Sequence, residues 1–218
     1  MVAPSCCDTA WMVEVTAQLL TRALHRAGES FAPNELAYLA LTSKPEHPVR
    51  DRMAWVLHSD LPGCITAREW SPNGDRARTD LAVLDESSYE ALALVETKAA
   101  YTFDFAQEGQ QTVEKYMRNI ANDLDKARAA GGSRTRIFAL LLLTHPASAP
   151  VQLTPVVKYG PEIARSLRWR SATDLADAAR EIVGSRLNTM GAVRGGTLPA
   201  GMAFDIDVAI NYFLVSAQ

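Results

Sequence analysis

The chain has 218 residues, 48% of them apolar and 22% charged, with a net charge of −3. That balance suits a globular protein with one sizeable core and excludes a surface coated in basic charge, though one basic face for nucleic acid remains compatible with it. No apolar run approaches the roughly 20 residues that span a bilayer, and three cysteines, Cys6 and Cys7 side by side and Cys64 far away, give neither a full disulfide framework nor a C-x-x-C metal spacing.

In chain order, residues 11–27 read as an amphipathic helix, with Met12, Val15, Leu19, Ala23 and Ala27 at helical spacing and Gly28 as its stop. A short helix is predicted over 34–42 and a third over 46–61, where Val49, Met53, Val56 and Leu57 form the buried stripe and Pro62-Gly63 the end. Residues 65–70 alternate and predict a strand, and the cluster from Ser71 through Asn73 to Asp75 predicts a turn. Residues 79–85 and 91–99 read as two strands of a hairpin around the polar segment 86–90. A long helix over 107–130 turns Val113, Met117, Ile120, Leu124 and Ala127 inward and stops at Gly131-Gly132. The almost wholly apolar run 136–144 predicts a strand in the middle of a sheet. Two further helices are expected over 161–168 and 172–187, then a glycine-rich loop over 191–201 and a last strand over 203–215. Helix, three-strand meander, helix and strand in this order define an α/β protein with a mixed sheet flanked by helices. The expectation is one domain over 1–218, with a core at 43–145, a helical addition at 9–42 and a C-terminal elaboration at 151–218.

The chemistry concentrates on the hairpin. Asp80 and Glu96 stand in mirrored positions about Ser88, so an antiparallel pairing sets their β-carbons about 5 Å apart. Two carboxylates that close repel unless a cation joins them. Lys98, two residues beyond Glu96, points to the same side as Glu96. The run 91–95 is apolar on both faces, and charged side chains enter such a strand only when paired or metal-bound. A strand that simply reaches solvent would show the same Glu-x-Lys alternation. The mirrored Asp80 and the helix led by Glu46 favour a functional cluster.

Thr79-Asp80 followed by Glu96-Thr97-Lys98 resembles the signature of the PD-(D/E)XK nucleases, the restriction-endonuclease-like superfamily. The context is similar as well: residues 46–53 resemble the family's first core helix, 67–70 its first strand, 80–83 its second and 94–99 its third. Thr79 replaces the proline of the family name, which does no chemistry. Gln111 and Tyr116 are five apart, whereas RecB-type relatives space Gln and Tyr by four, so that role is not carried over.

The resemblance implies a restriction-endonuclease-like fold and a metal-dependent endonuclease, with DNA, most simply duplex DNA, as substrate and a homodimer as the assembly. It implies magnesium, replaceable by manganese, on Asp80, Glu96 and the Thr97 carbonyl, with Lys98 orienting or deprotonating the attacking water. Glu46 has two readings: an outer metal ligand acting through water, or half of a capping box with Ser43. The rival from another class is a non-catalytic module that keeps the fold and binds nucleic acid or protein, and a third reading is an enzyme for small phosphoesters.

The other charged groups carry less. Arg68, Arg76 and Arg78 flank the cluster in sequence. Lys126, Arg128, Arg134 and Arg136 interleave with Asp123 and Asp125 as a salt-bridged face, and Glu14 reads as solvated. Arg165, Arg168 and Arg170 around Trp169 form a candidate nucleic-acid patch, with core packing as the other role for the indole. No signal-peptide pattern is present at the start, so a cytoplasmic location with reduced thiols is expected.

Overall fold

In the computed structural model, which describes residues 13–72, 74, 78–106, 109–151 and 155–217, three helices precede the sheet. Helix α1 (Ala17–Glu29) begins where the Thr16 hydroxyl accepts the Leu19 amide at 3.2 Å. This N-cap satisfies a donor that the helix cannot pair internally. The helix therefore starts later than the periodicity suggests, runs through Gly28, and buries Leu20 and Leu24 beside Ala23 and Ala27, leaving Leu19 half-buried. Trp11, Met12, Cys6, Cys7, Asn73, Asp75, Arg76 and Gln107 lie outside the described residues. Helix α2 (Glu35–Thr42) follows, and α3 (Glu46–Asp60) buries Val49, Met53, Val56 and Leu57 as its stripe implies.

Strands β1 (Cys64–Trp70), β2 (Thr79–Asp85) and β3 (Ala91–Tyr101) form an antiparallel meander. Asp85 closes the β2–β3 hairpin: its carboxylate accepts the amides of Ser87 and Ser88, at 3.0 and 2.8 Å, and both their hydroxyls. Those donors hold its pKa down to about 2. A depressed carboxylate pKa contributes stability above the unfolded value of 3.8 that is lost as the pH falls through about 2. Asp85→Asn is thus expected to lower the melting temperature above pH 4, with the gap to the parent closing toward pH 2; parallel melting curves across that range would remove the hairpin from the pH-dependent stability.

The crossover from β3 holds two helices, α4 (Thr102–Ala106) and α5 (Gln110–Ala130), before β4 (Arg136–Pro146) pairs parallel to β3 from Ala93–Arg136 to Tyr101–Thr144. The five buried positions of the α5 stripe are those that the sequence predicts. Helices α6 (Gly160–Trp169) and α7 (Ala172–Leu187) lead into β5 (Gly191–Ala203) and β6 (Ile206–Ala217). The result is a mixed α/β protein with one six-stranded sheet in the order β1-β2-β3-β4-β6-β5.

The segment expected as a glycine-rich loop is therefore a corrected assignment: it is the edge strand β5. Its glycines answer a packing demand rather than a turn. A Cβ on Gly196 would sit 2.4 Å from the Tyr212 hydroxyl, so the ring crosses the strand only where no side chain stands. Gly201, at φ 91°, lies at the bulge after Pro199, against Asn34. Phe204 and Asp205, both at positive φ, make the two-residue turn into β6, which starts later than predicted for that reason.

Helices cover both faces of the sheet. On one, His25 of α1 meets the Tyr212 hydroxyl at 2.9 Å, and the Tyr101 hydroxyl donates to the Ala40 carbonyl of α2 at 2.6 Å. On the other, Ile120 of α5 and Leu187 of α7 lie against Ala139, Leu141 and Val215. Among the described residues no helix is long and apolar enough to cross a membrane.

Candidate active site

The site lies where β2 parts from β3. The β2–β3 ladder runs in one register from Val83–Ala93 to Leu81–Val95. Continuing that register would set Asp80 opposite Glu96. Instead the Thr97 amide donates to the Asp80 carboxylate at 2.7 Å, so a side chain replaces a backbone acceptor at the point of separation. Strand β1 distorts at the same level: Glu69, between the pairs Arg68–Leu81 and Trp70–Thr79, takes φ 51°, a costly conformation for a non-glycine residue.

Glu96 and Lys98 share a face of β3 and meet Ile120 and Asp123 of α5. Glu96 is only 7% exposed. Burial, reinforced by the charges of Asp80 and Asp123, pushes its carboxyl up to about 8 against the opposing Lys98 and a hydrogen bond with Thr79. Lys98 Nζ lies 2.9 Å from Asp123 Oδ2, and Asp123 also meets Lys126 at 3.0 Å. Burial works against the Lys98 ammonium, but the hydrogen bond and charge of Asp123 together with the charges of Glu46 and Asp80 outweigh it, so its pKa is raised. The lysine is a cation at neutral pH.

Glu46 opens α3 but forms no capping box. The Ser43 amide donates to the Leu39 carbonyl at 2.9 Å and is not free for Glu46, and α3 has no side-chain cap. Burial raises the Glu46 pKa, with Lys98 opposing and Asp80 adding to it, so the residue belongs electrostatically to the cluster. Arg50, one turn further along α3, is 6% exposed. It bonds Asp51 and Glu69 and reaches within 3.8 Å of Asp80 Oδ1. Burial disfavours its charge, and Asp51 and Glu69 outweigh that cost. Arg68 is tied to Asp51 at 2.8 Å.

The structure thus gathers Glu46, Asp80, Glu96, Thr97 and Lys98, and adds two residues that the sequence did not single out for the site. Asp123 was read as part of a surface salt-bridged face. Its signal was its place beside the inward stripe, three residues after Ile120. Arg50 was hidden because it alternates with the core residues Val49 and Met53. Elsewhere, Glu14 is solvent-exposed as the sequence implies and meets Arg136 at 2.6 Å, and Trp169 is exposed rather than packed.

The donors at the site are hard oxygens. Among the described residues no three or more His, Cys, Asp or Glu side chains converge as a ready-made metal cluster. Magnesium needs no such cage: it is held by one or two carboxylates and keeps its remaining positions for waters and substrate phosphate. The Glu96 carboxyl, which burial and the Asp80 charge push up to about 8, and the adjacent Asp80 fit that demand, since a bound cation would offset both charges. Comparison with protein-family models, curated proteins and solved structures gives no match to the chain.

Proposed function

We propose that the protein is a magnesium-dependent nuclease with a restriction-endonuclease-like core, cutting phosphodiester bonds, most simply as an endonuclease on DNA. The observation that carries this reading is the meeting of Asp80 and a buried Glu96 with a cationic Lys98 at a gap between two strands. A structural salt-bridge network accounts for Lys98 and Asp123 but not for Glu96 and Glu46, two further carboxyls that burial pushes up and the Asp80 charge pushes up further.

In this reading Asp80 and Glu96 hold the cation, with the Thr97 carbonyl as a third oxygen. A divalent cation bound there would polarise the scissile phosphate and ease the deprotonation of water. Glu46 adds negative charge from the α3 side. Lys98, held protonated by Asp123, orients the attacking water through its lone pair and offsets the charge that grows on the phosphate oxygens. A role as the resting-state base fits poorly with that raised pKa. The new P–O bond forms from water, which gives up a proton to the solvent, as the bond to the leaving sugar oxygen breaks and that oxygen takes a proton from the solvent. Asp123 touches no reacting atom and acts by positioning Lys98.

The test is conversion of supercoiled plasmid to open-circular or linear DNA. Cleavage is expected with magnesium or manganese, arrested by EDTA and lost in Asp80→Ala. Cleavage that persists unchanged in Asp80→Ala would overturn the assignment. Hydrolysis of small phosphoesters with no action on polymers would move the site to another substrate class.

A further inference from the structure

The outer face of α6 is unused by the chemistry above. The helix turns Ile163 and Ser166 into the protein. Opposite them stand Arg165, Arg168 and Trp169, at i, i+3 and i+4 and therefore on one side, with Arg170 following as the helix ends. All four are exposed, and Trp169 is 76% accessible. Arg50, Arg68 and Arg136 each meet a carboxylate, but among the described residues none of these three guanidiniums does. Three unpaired like charges around a bare indole, in a chain of net charge −3, make a surface complementary to a polyanion with flat apolar groups.

We propose that this face binds a nucleic-acid strand with unpaired bases, the guanidiniums on its phosphates and one base stacked on Trp169. The link to cleavage rests on the nuclease reading. α6, which carries the patch, packs against α4, and α4 continues directly from the strand bearing Lys98. Arginine pairs with phosphate through two parallel N–H donors, and an exposed indole accepts any base face. A membrane-surface helix needs a broad apolar face toward lipid, whereas the apolar side of α6 is spent in the core and Trp169 is the one large apolar residue it exposes. Stacking requires a base out of the duplex, so the preferred ligand has single-stranded character.

The test uses the full chain carrying Lys98→Ala to prevent turnover, with fluorescein-labelled oligothymidine and a blunt duplex as probes. Replacing Arg165, Arg168 and Arg170 together with alanine is expected to weaken oligothymidine binding at least about tenfold and to lower the slope of log K against log salt by about 2. Trp169→Ala is expected to weaken single-strand binding about tenfold with little effect on the duplex, and Trp169→Phe to restore most of it. Melting temperatures check that each variant folds. Unchanged oligothymidine binding in both variants overturns the proposal. Equal losses on duplex and single strand overturn the stacking part, and a selective loss of binding to phosphatidylserine vesicles reassigns the patch to a membrane. Failure of the nuclease reading shows separately, as a parent protein that binds the strand but never cuts it.

Discussion

Lys98→Ala is expected to reduce plasmid cleavage about a thousandfold while leaving the melting temperature within a few degrees of the parent. The activity loss combines the misplacement of water with the loss of a positive charge at the phosphate, each of which is worth one to several orders of magnitude in a water-poor site. The small effect on stability follows from geometry. Lys98 is one-third exposed at its side chain, so its ion pair contributes modestly, and Asp123 keeps Lys126 at 3.0 Å as a partner when Lys98 is gone. Asp123→Asn should fall between the two, lowering the rate while the lysine remains present but less firmly placed. Magnesium-dependent plasmid nicking and a thermal melt measure both halves. A Lys98→Ala protein that cuts at the parental rate would leave the cluster as structural charge pairing only.

Glu96→Gln should separate stability from activity with opposite signs. In the folded chain burial pushes the Glu96 carboxyl up to about 8, against an ordinary value of 4.5. Between those values the native state holds a proton that the unfolded chain has released, so raising the pH through this window costs stability. Glutamine has no proton to lose. In EDTA the variant and parent should melt together near pH 5, and by pH 9 the variant should melt several degrees higher, on the order of 2 kcal/mol. Magnesium should raise the parent's melting temperature more than the variant's, because only the parent retains both acidic ligands. Cleavage should be lost in the variant at every pH. A Glu96→Gln protein that is less stable than its parent at pH 9 in EDTA would show that the carboxylate is satisfied by the protein alone.

Much of this arrangement was readable from local pattern. The stripe Val113–Met117–Ile120–Leu124–Ala127 and the bounds of β2 and α7 follow from local pattern, because each helix has one apolar face and β2 is a short apolar run between Asp80 and Asp85. The hairpin register was readable as far as Leu81–Val95 because a hairpin with an evident turn has an evident axis, but the parting of the strands at Asp80 was not. β5 was not, since Gly195 and Gly196 resemble punctuation until Tyr212, distant in sequence, explains them. α4 is too short to show a period, and its identity depends on the Asp104 carboxylate accepting the Tyr101 amide. The Ser43–Glu46 spacing fits a cap, but the competing acceptor, Leu39, belongs to the preceding helix and has no mark in the motif. Asp123 shows the same limit: its i+3 neighbour Lys126 explains it locally, while its closer partner is Lys98, across the fold.

The parting of β2 from β3 gives the protein an adjustable aperture. Within a ladder, the distance between opposed side chains is fixed by strand spacing, and altering it means breaking several backbone bonds together. Past Leu81 the span across the fork rests on side-chain contacts, Thr97 N–H to the Asp80 carboxylate and Thr79 with Glu96, and these hinge on side-chain torsions. Small changes in width then leave the sheet intact, so under the proposed function cations of unequal radius would seat between Asp80 and Glu96 without disturbing the frame that carries them.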